Sequence, residues 1–152
     1  MDTEMINDKL SQGIMLISAE KYDAAKKVFE EIIIEAPRTL EAYIHLGNAC
    51  ANLEQYNEAI EAFKKALLVD SNYGEAYFSI GSIYVLMNEK VKAVEFYNKA
   101  EEKGYVSSQM YQIMASIFFE AEDEPQALRN ISRAINLEPL NGELRLLKTN
   151  II

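Results

Sequence analysis

The chain has 152 residues, of which 49% are hydrophobic and 26% charged. That balance suits one folded domain over 1–152 and excludes a disordered segment. A formal net charge of −9, with no run of Lys and Arg, excludes nucleic acid and an anionic membrane as expected partners, because both need a positive face. The single cysteine, Cys50, excludes an internal disulfide and fits a reducing compartment. An acidic start, MDTEMINDKL, and the lack of any long apolar run predict a soluble, cytoplasmic protein with neither signal peptide nor spanning helix.

With only 6 Gly and 3 Pro, the expected elements are helices, and they come in pairs. The first pair is read over 6–36, with Gly13, Leu16, Ala25 and Phe29 as packing positions and Pro37 beyond it; Lys9 and Gln12 stand where large apolar residues are wanted. The second lies over 39–70. Tyr43, Leu46 and Cys50 fall at three- and four-residue steps on its first helix, and Ala59, Phe63, Ala66 and Leu67 do so on its second. Polar turns at Asn52–Gln55 and Ser71–Gly74 separate the helices. The third pair, over 73–104, repeats the pattern with Tyr77, Ile80, Gly81, Tyr84, Ala93 and Tyr97. The fourth, over 107–138, does so with Tyr111, Met114, Ala115, Phe118, Ala127 and Ile131 before Pro139. A last helix is read near 142–150, its Leu144, Leu147 and Ile151 covering Leu128, Ile131 and Ile135. Arg145, Lys148 and Thr149 occupy the places that would meet a following helix, and Asp8 takes the column of Ala42, Ala76 and Met110. Both ends therefore read as caps, with a piece of a longer array as the alternative.

The columns agree at a step of 34 residues: Ala25, Ala59, Ala93 and Ala127; Phe29, Phe63, Tyr97 and Ile131; Gly13, Gly47, Gly81 and Ala115. Gly47 and Ala59 are expected to let two helices approach closely while Phe63 fills the space beside them. This register resembles the tetratricopeptide repeat, in its period and in its W-x2-L-G-x2-Y…A-x3-F…P pattern, over roughly residues 6–140. The resemblance implies an all-α, right-handed superhelix of about four hairpins, with repeats at about 6–39, 40–73, 74–107 and 108–141 and a capping helix over 142–152.

Chemistry is sparse. His45 is the only histidine, so no histidine pair or His-rich metal cluster is expected; its separation from Cys50 is about 500° around a helix, which keeps the two apart. Cys50 shares a column with Leu16, Tyr84 and Phe118 and reads as a packing residue. Neither a phosphate loop nor a Ser-His-Asp arrangement is present, so no enzyme, cofactor or metal is expected.

In the family, the first helix of each unit lines a concave groove that takes extended or helical peptides. Carried over by column, the implied lining is Leu10, Ile14 and Ile17; Glu41, Ile44, Asn48 and Asn52; Glu75, Phe78, Ser82 and Val85; and Phe119. Glu41, Glu75 and Glu120 border it without Lys or Arg, whereas Lys26, Lys27, Lys64, Lys65, Lys99, Arg129 and Arg133 fall on second helices. The implied partner is a peptide or protein segment, apolar with some basic character. A clamp for a C-terminal carboxylate, as in chaperone-binding members, is rejected, since its places hold Leu10, Ile14, His45, Glu75 and Ser79. The expected role is a scaffold or adaptor; a small acidic chaperone for an aggregation-prone client and a homo-oligomer are the alternatives.

Overall fold

Four helical hairpins and one further helix make up the protein in a computed structural model that describes residues 1–152. The helices are α1 (Thr3–Ser18), α2 (Tyr22–Glu35), α3 (Leu40–Asn52), α4 (Tyr56–Val69), α5 (Gly74–Leu86), α6 (Lys90–Glu102), α7 (Ser108–Glu120), α8 (Glu124–Leu137) and α9 (Gly142–Ile151). There is no strand, and no helix is long and apolar enough to cross a membrane. The first helix begins three residues before the expected start, because Asp2 accepts a hydrogen bond from Met5 N at 2.9 Å and caps it.

Hairpins close the way their small residues require. A Cβ built on Gly47 would lie 2.7 Å from Cε2 and Cζ of Phe63, and one on Gly81 would lie 2.7 Å from Cδ1 of Tyr97. Gly13 meets Phe29 in the same way, at 2.5 Å. In the fourth hairpin Ala115 stands in the glycine column, and Ile131 replaces the ring. Small and large trade places so that each pair fills a similar space.

Every first helix also ends alike. Glu20, Glu54, Asn88 and Glu122, 34 residues apart, have φ of 58–59°. The following amide reaches back to the first helix, as when Gln55 N donates to Cys50 O at 2.9 Å and Asp123 N to Phe118 O at 2.9 Å. That left-handed residue with its six-residue return is a Schellman turn, which stops one helix and aims the next. Only α6 carries such a turn at the end of a second helix. It stops at Glu102, Gly104 takes φ 82°, and Tyr105 N returns to Ala100 O at 2.9 Å.

The buried side chains form two clusters. Ala25, Phe29, Ile32 and Ala42 make a small one around α1–α3, and 18 residues from Cys50 to Leu144 make the large one. Leu46 is the one partly buried side chain that packs against both. Ion pairs join neighbouring second helices: Lys26 with Glu58 at 2.6 Å from α2 to α4, and Arg133 with Glu101 at 3.1 Å from α8 to α6.

Candidate functional site

The twelve residues assigned to the groove lie on α1, α3, α5 and α7, the first helices of the hairpins. Their depth differs more than their columns suggest. Ile14 and Phe119 are open, at 42% and 51% exposure. Leu10, Ile17, Ile44, Phe78 and Val85 are half-buried and pack against the two clusters, so these columns also serve the stacking of the helices. Phe78 shows why: its ring lies 5.0 Å from that of Tyr105 and 5.7 Å from that of Tyr97. The turn at Gly104 brings Tyr105 there, and the same turn buries Gly74, whose added Cβ would meet Tyr105 Cβ at 2.7 Å. Gly74, expected in a turn, is thus a packed helix start.

The polar members are partly engaged within the protein. Asn52 Nδ2 donates to Asn48 O at 2.8 Å, and Ser82 Oγ lies 3.1 Å from Tyr97 Oη. Asn48 is half-buried with no side-chain hydrogen bond within the protein. Tyr73 Oη donates to Glu75 at 3.0 Å, which leaves that carboxylate its charge. Glu120 pairs with Lys90, at the start of α6, so the bordering carboxylates with their charge unanswered are Glu41 and Glu75. Near Phe119 a cavity of about 220 Å³ opens between α7, α8 and α9, with Ala115, Ile131, Leu147 and Ile151 in its walls. Leu146 is 62% exposed, whereas Leu147 and Ile151 are the side chains that α9 turns toward the cavity.

His45 stacks on Phe29 with ring centroids 5.3 Å apart, and burial pushes its imidazole below the ordinary value against a smaller opposite pull from Glu41. Cys50 is buried at 1% exposure, and burial pushes its thiol up. A neutral thiol and a neutral, stacked imidazole are packing groups here. No three His, Cys, Asp or Glu side chains come together so as to hold a metal ion.

Comparison with known proteins agrees with this architecture. Sequence models of the tetratricopeptide repeat match residues 40–73 and 74–102. No curated protein sequence matches the chain significantly. Among solved structures, MamA superposes with a TM-score of 0.81 at 22% identity, over 91% of this chain and 81% of that one. YrrB, a repeat protein of the same kind with an unusual peptide-binding site, gives 0.71 at 24% identity, over 79% and 62%. A thermophilic repeat protein from Thermus thermophilus gives 0.64 at 18% identity, over 96% and 98%. These likenesses are of fold.

Proposed function

Since the chain is a tetratricopeptide-repeat protein, a protein-interaction module, we propose that it holds a peptide or protein segment non-covalently in the groove of its first helices, as a scaffold or adaptor. One observation carries this reading. The exposed Ile14 and Phe119 stand at either end of a row of half-buried apolar residues that includes Ile44 and Phe78, beside the unanswered carboxylates of Glu41 and Glu75. Exposed apolar surface next to one sign of charge favours a segment with an apolar face and some basic residues, such as an amphipathic helix. The peptide-binding site of YrrB lends support by likeness of fold. No nucleic acid, membrane or carboxylate-clamp ligand is part of the proposal, and the place of action is the cytoplasm.

The test is a binding titration with an amphipathic Leu/Lys helical peptide. Phe119→Ala should weaken binding by about 1–3 kcal/mol with the fold intact, and reversing Glu41 and Glu75 to Lys should chiefly slow association. Reversal of Glu58 and Glu61 on α4 is the control for the overall charge. Equal losses in the control and the groove variants, or none in either, would remove the groove from the proposal. A pull-down from the native cell then separates roles: an adaptor forms a lasting complex, a chaperone keeps its client soluble and releases it, and a homo-oligomer gains mass with concentration alone.

A further inference from the structure

Each hairpin but the last carries a ring at the crossing of its two helices: Phe29, Phe63 and Tyr97. Other rings join them. Phe29 stacks on His45 at 5.3 Å between centroids, and Phe78 lies 5.7 Å from Tyr97 and 5.0 Å from Tyr105. In the 34-residue register the places of Phe78, Tyr97 and Tyr105 fall in the fourth hairpin to Gln112, Ile131 and Pro139, and Leu147 of α9 stands in the column of His45. None of these is a ring. Ala115 and Ile131 fill the crossing of α7 and α8 itself, but a ring reaches further than an isoleucine. Tyr97 extends as far as the groove, where its Oη lies 3.1 Å from Ser82 Oγ. Ser116, in the column of Ser82, donates instead to Gln112 O of its own helix at 3.2 Å.

Where the far end of that ring would lie, the cavity of about 220 Å³ opens between α7, α8 and α9. Its floor is the buried Ala115 and Ile131, its sides are Phe119, Leu147 and Ile151, and Gln112, Ser116 and Asn150 form the rim. The mouth is open to the groove: Ser116, Phe119 and Asn150 are exposed and stand in the columns of Ser82, Val85 and Asn48. Such a volume falls below the roughly 300–1,000 Å³ of pockets that enclose small molecules, and it suits a single side chain. No lining residue is charged, so a charged side chain would lose its water and gain no partner. Neither side chain of the floor can donate or accept a hydrogen bond, so a hydroxyl at the tip of an entering ring would be stranded. Phe119 offers its own ring as a stacking partner. What fits is a ring without a hydroxyl.

We propose that this cavity is the anchor pocket of the groove and takes a phenylalanine side chain of the bound segment. The ligand supplies the ring that the last junction lacks, and its backbone passes over Gln112, Ser116 and Asn150. The inference rests on the groove reading for the segment that carries the ring. It also gives that segment an order, with phenylalanine over α7 and α9 and basic residues over Glu41 and Glu75. Its test is a titration of the full chain with N-acetyl-phenylalanine N-methylamide, followed by ¹H–¹⁵N NMR. Shifts should gather at Ser116, Phe119 and Leu147. The tyrosine analogue should bind at least about fivefold more weakly, as expected for one stranded hydroxyl, and the leucine analogue should also be weaker. Ala115→Gly with Ile131→Tyr, which copies the third hairpin, fills the pocket from within and should abolish the shifts. Ser116→Trp blocks the mouth from the exposed rim, leaves the core untouched and should do the same. Circular dichroism checks that each variant remains helical. Equal binding of the three probes, shifts confined to Ile44 and Phe78, or unchanged binding in both variants overturn the proposal. The amphipathic Leu/Lys peptide is titrated alongside. If it binds while the phenylalanine probe leaves α7 and α9 unshifted, the pocket falls and the groove reading stands. Shifts from the probe with no binding of the peptide keep the pocket as a ring site and refute the groove.

Discussion

Replacing Gly47 with alanine adds one methyl group where none fits. The new Cβ would sit 2.7 Å from two carbons of the Phe63 ring, whereas carbon atoms pack at about 3.5–4.0 Å. The ring would have to retreat by roughly 1 Å, yet Phe63 is only 1% exposed and enclosed. Overpacking of this kind costs about 1–3 kcal/mol, and the better helix propensity of alanine returns about 0.5–1 kcal/mol. A net loss of about 1–2 kcal/mol follows, or roughly 2–8 °C in melting temperature for a chain of this length. The fourth hairpin supplies the control, because its Ala115 is matched by Ile131. Phe63→Ile alone should open a void and destabilise, while Gly47→Ala combined with Phe63→Ile should recover part of both losses. Urea unfolding followed by circular dichroism gives the four midpoints, with a coupling of at least about 0.5 kcal/mol expected between the sites. A neutral Gly47→Ala, or strictly additive effects in the double variant, would refute the account of the glycine column.

Four other outcomes are expected. Leu144, at 2% exposure, anchors α9, so Leu144→Ala should cost about 2–5 kcal/mol. Deleting 142–152 should uncover Ile131 and promote association, seen as a rise in mass by light scattering; a monomer of unchanged stability would make α9 dispensable. His45 is held below its ordinary value of 6.5 by burial, so the unfolded chain takes up the proton first as pH falls. The stabilisation is therefore complete above about 6.5 and is lost as pH drops through the folded value; His45→Phe should flatten that part of the pH dependence of the unfolding midpoint, and an identical slope would refute it. Cys50 is buried with its thiol pushed up, so a disulfide reagent should modify it only as fast as the surrounding helices open, and rapid labelling of the native protein would contradict the packing described.

The helical hairpins were legible because packing between helices is written residue against residue. Gly47 and Phe63, or Gly81 and Tyr97, name their own contact once the 34-residue step is seen. Turn geometry was harder to read. Glu20, Glu54 and Glu122 adopt φ of 58–59°, although glutamate has no preference for that region and only Asn88 among the four does. The groove was legible as a set of columns but not as a set of depths. A column states which way a side chain leaves its helix; whether Phe78 is free depends on Tyr105, which arrives through the turn at Gly104 and lies outside the helical pattern. Ile131 did carry a signal, an aliphatic residue in a column shared with Phe29, Phe63 and Tyr97, and that signal gained meaning only when the cavity beside it was known.

Division of the core into two clusters bridged by Leu46 has a bearing on how the chain breathes. The first hairpin packs on one neighbour only, and its small cluster reaches no further than Ala42 of α3, so α1 and α2 should open together more often than the helices from α4 onward. Amide protons of α1 and α2 would exchange early, by excursions that leave α5 to α8 closed. Leu10, Ile14 and Ile17 belong to that breathing unit, whereas Phe78 and Phe119 belong to the quiet one. A ligand lying across the whole first-helix face would then announce itself as slowed exchange in α1 and α2, far from the residues that hold it most firmly. One that rests on α5 and α7 alone would leave the first hairpin's exchange as fast as before.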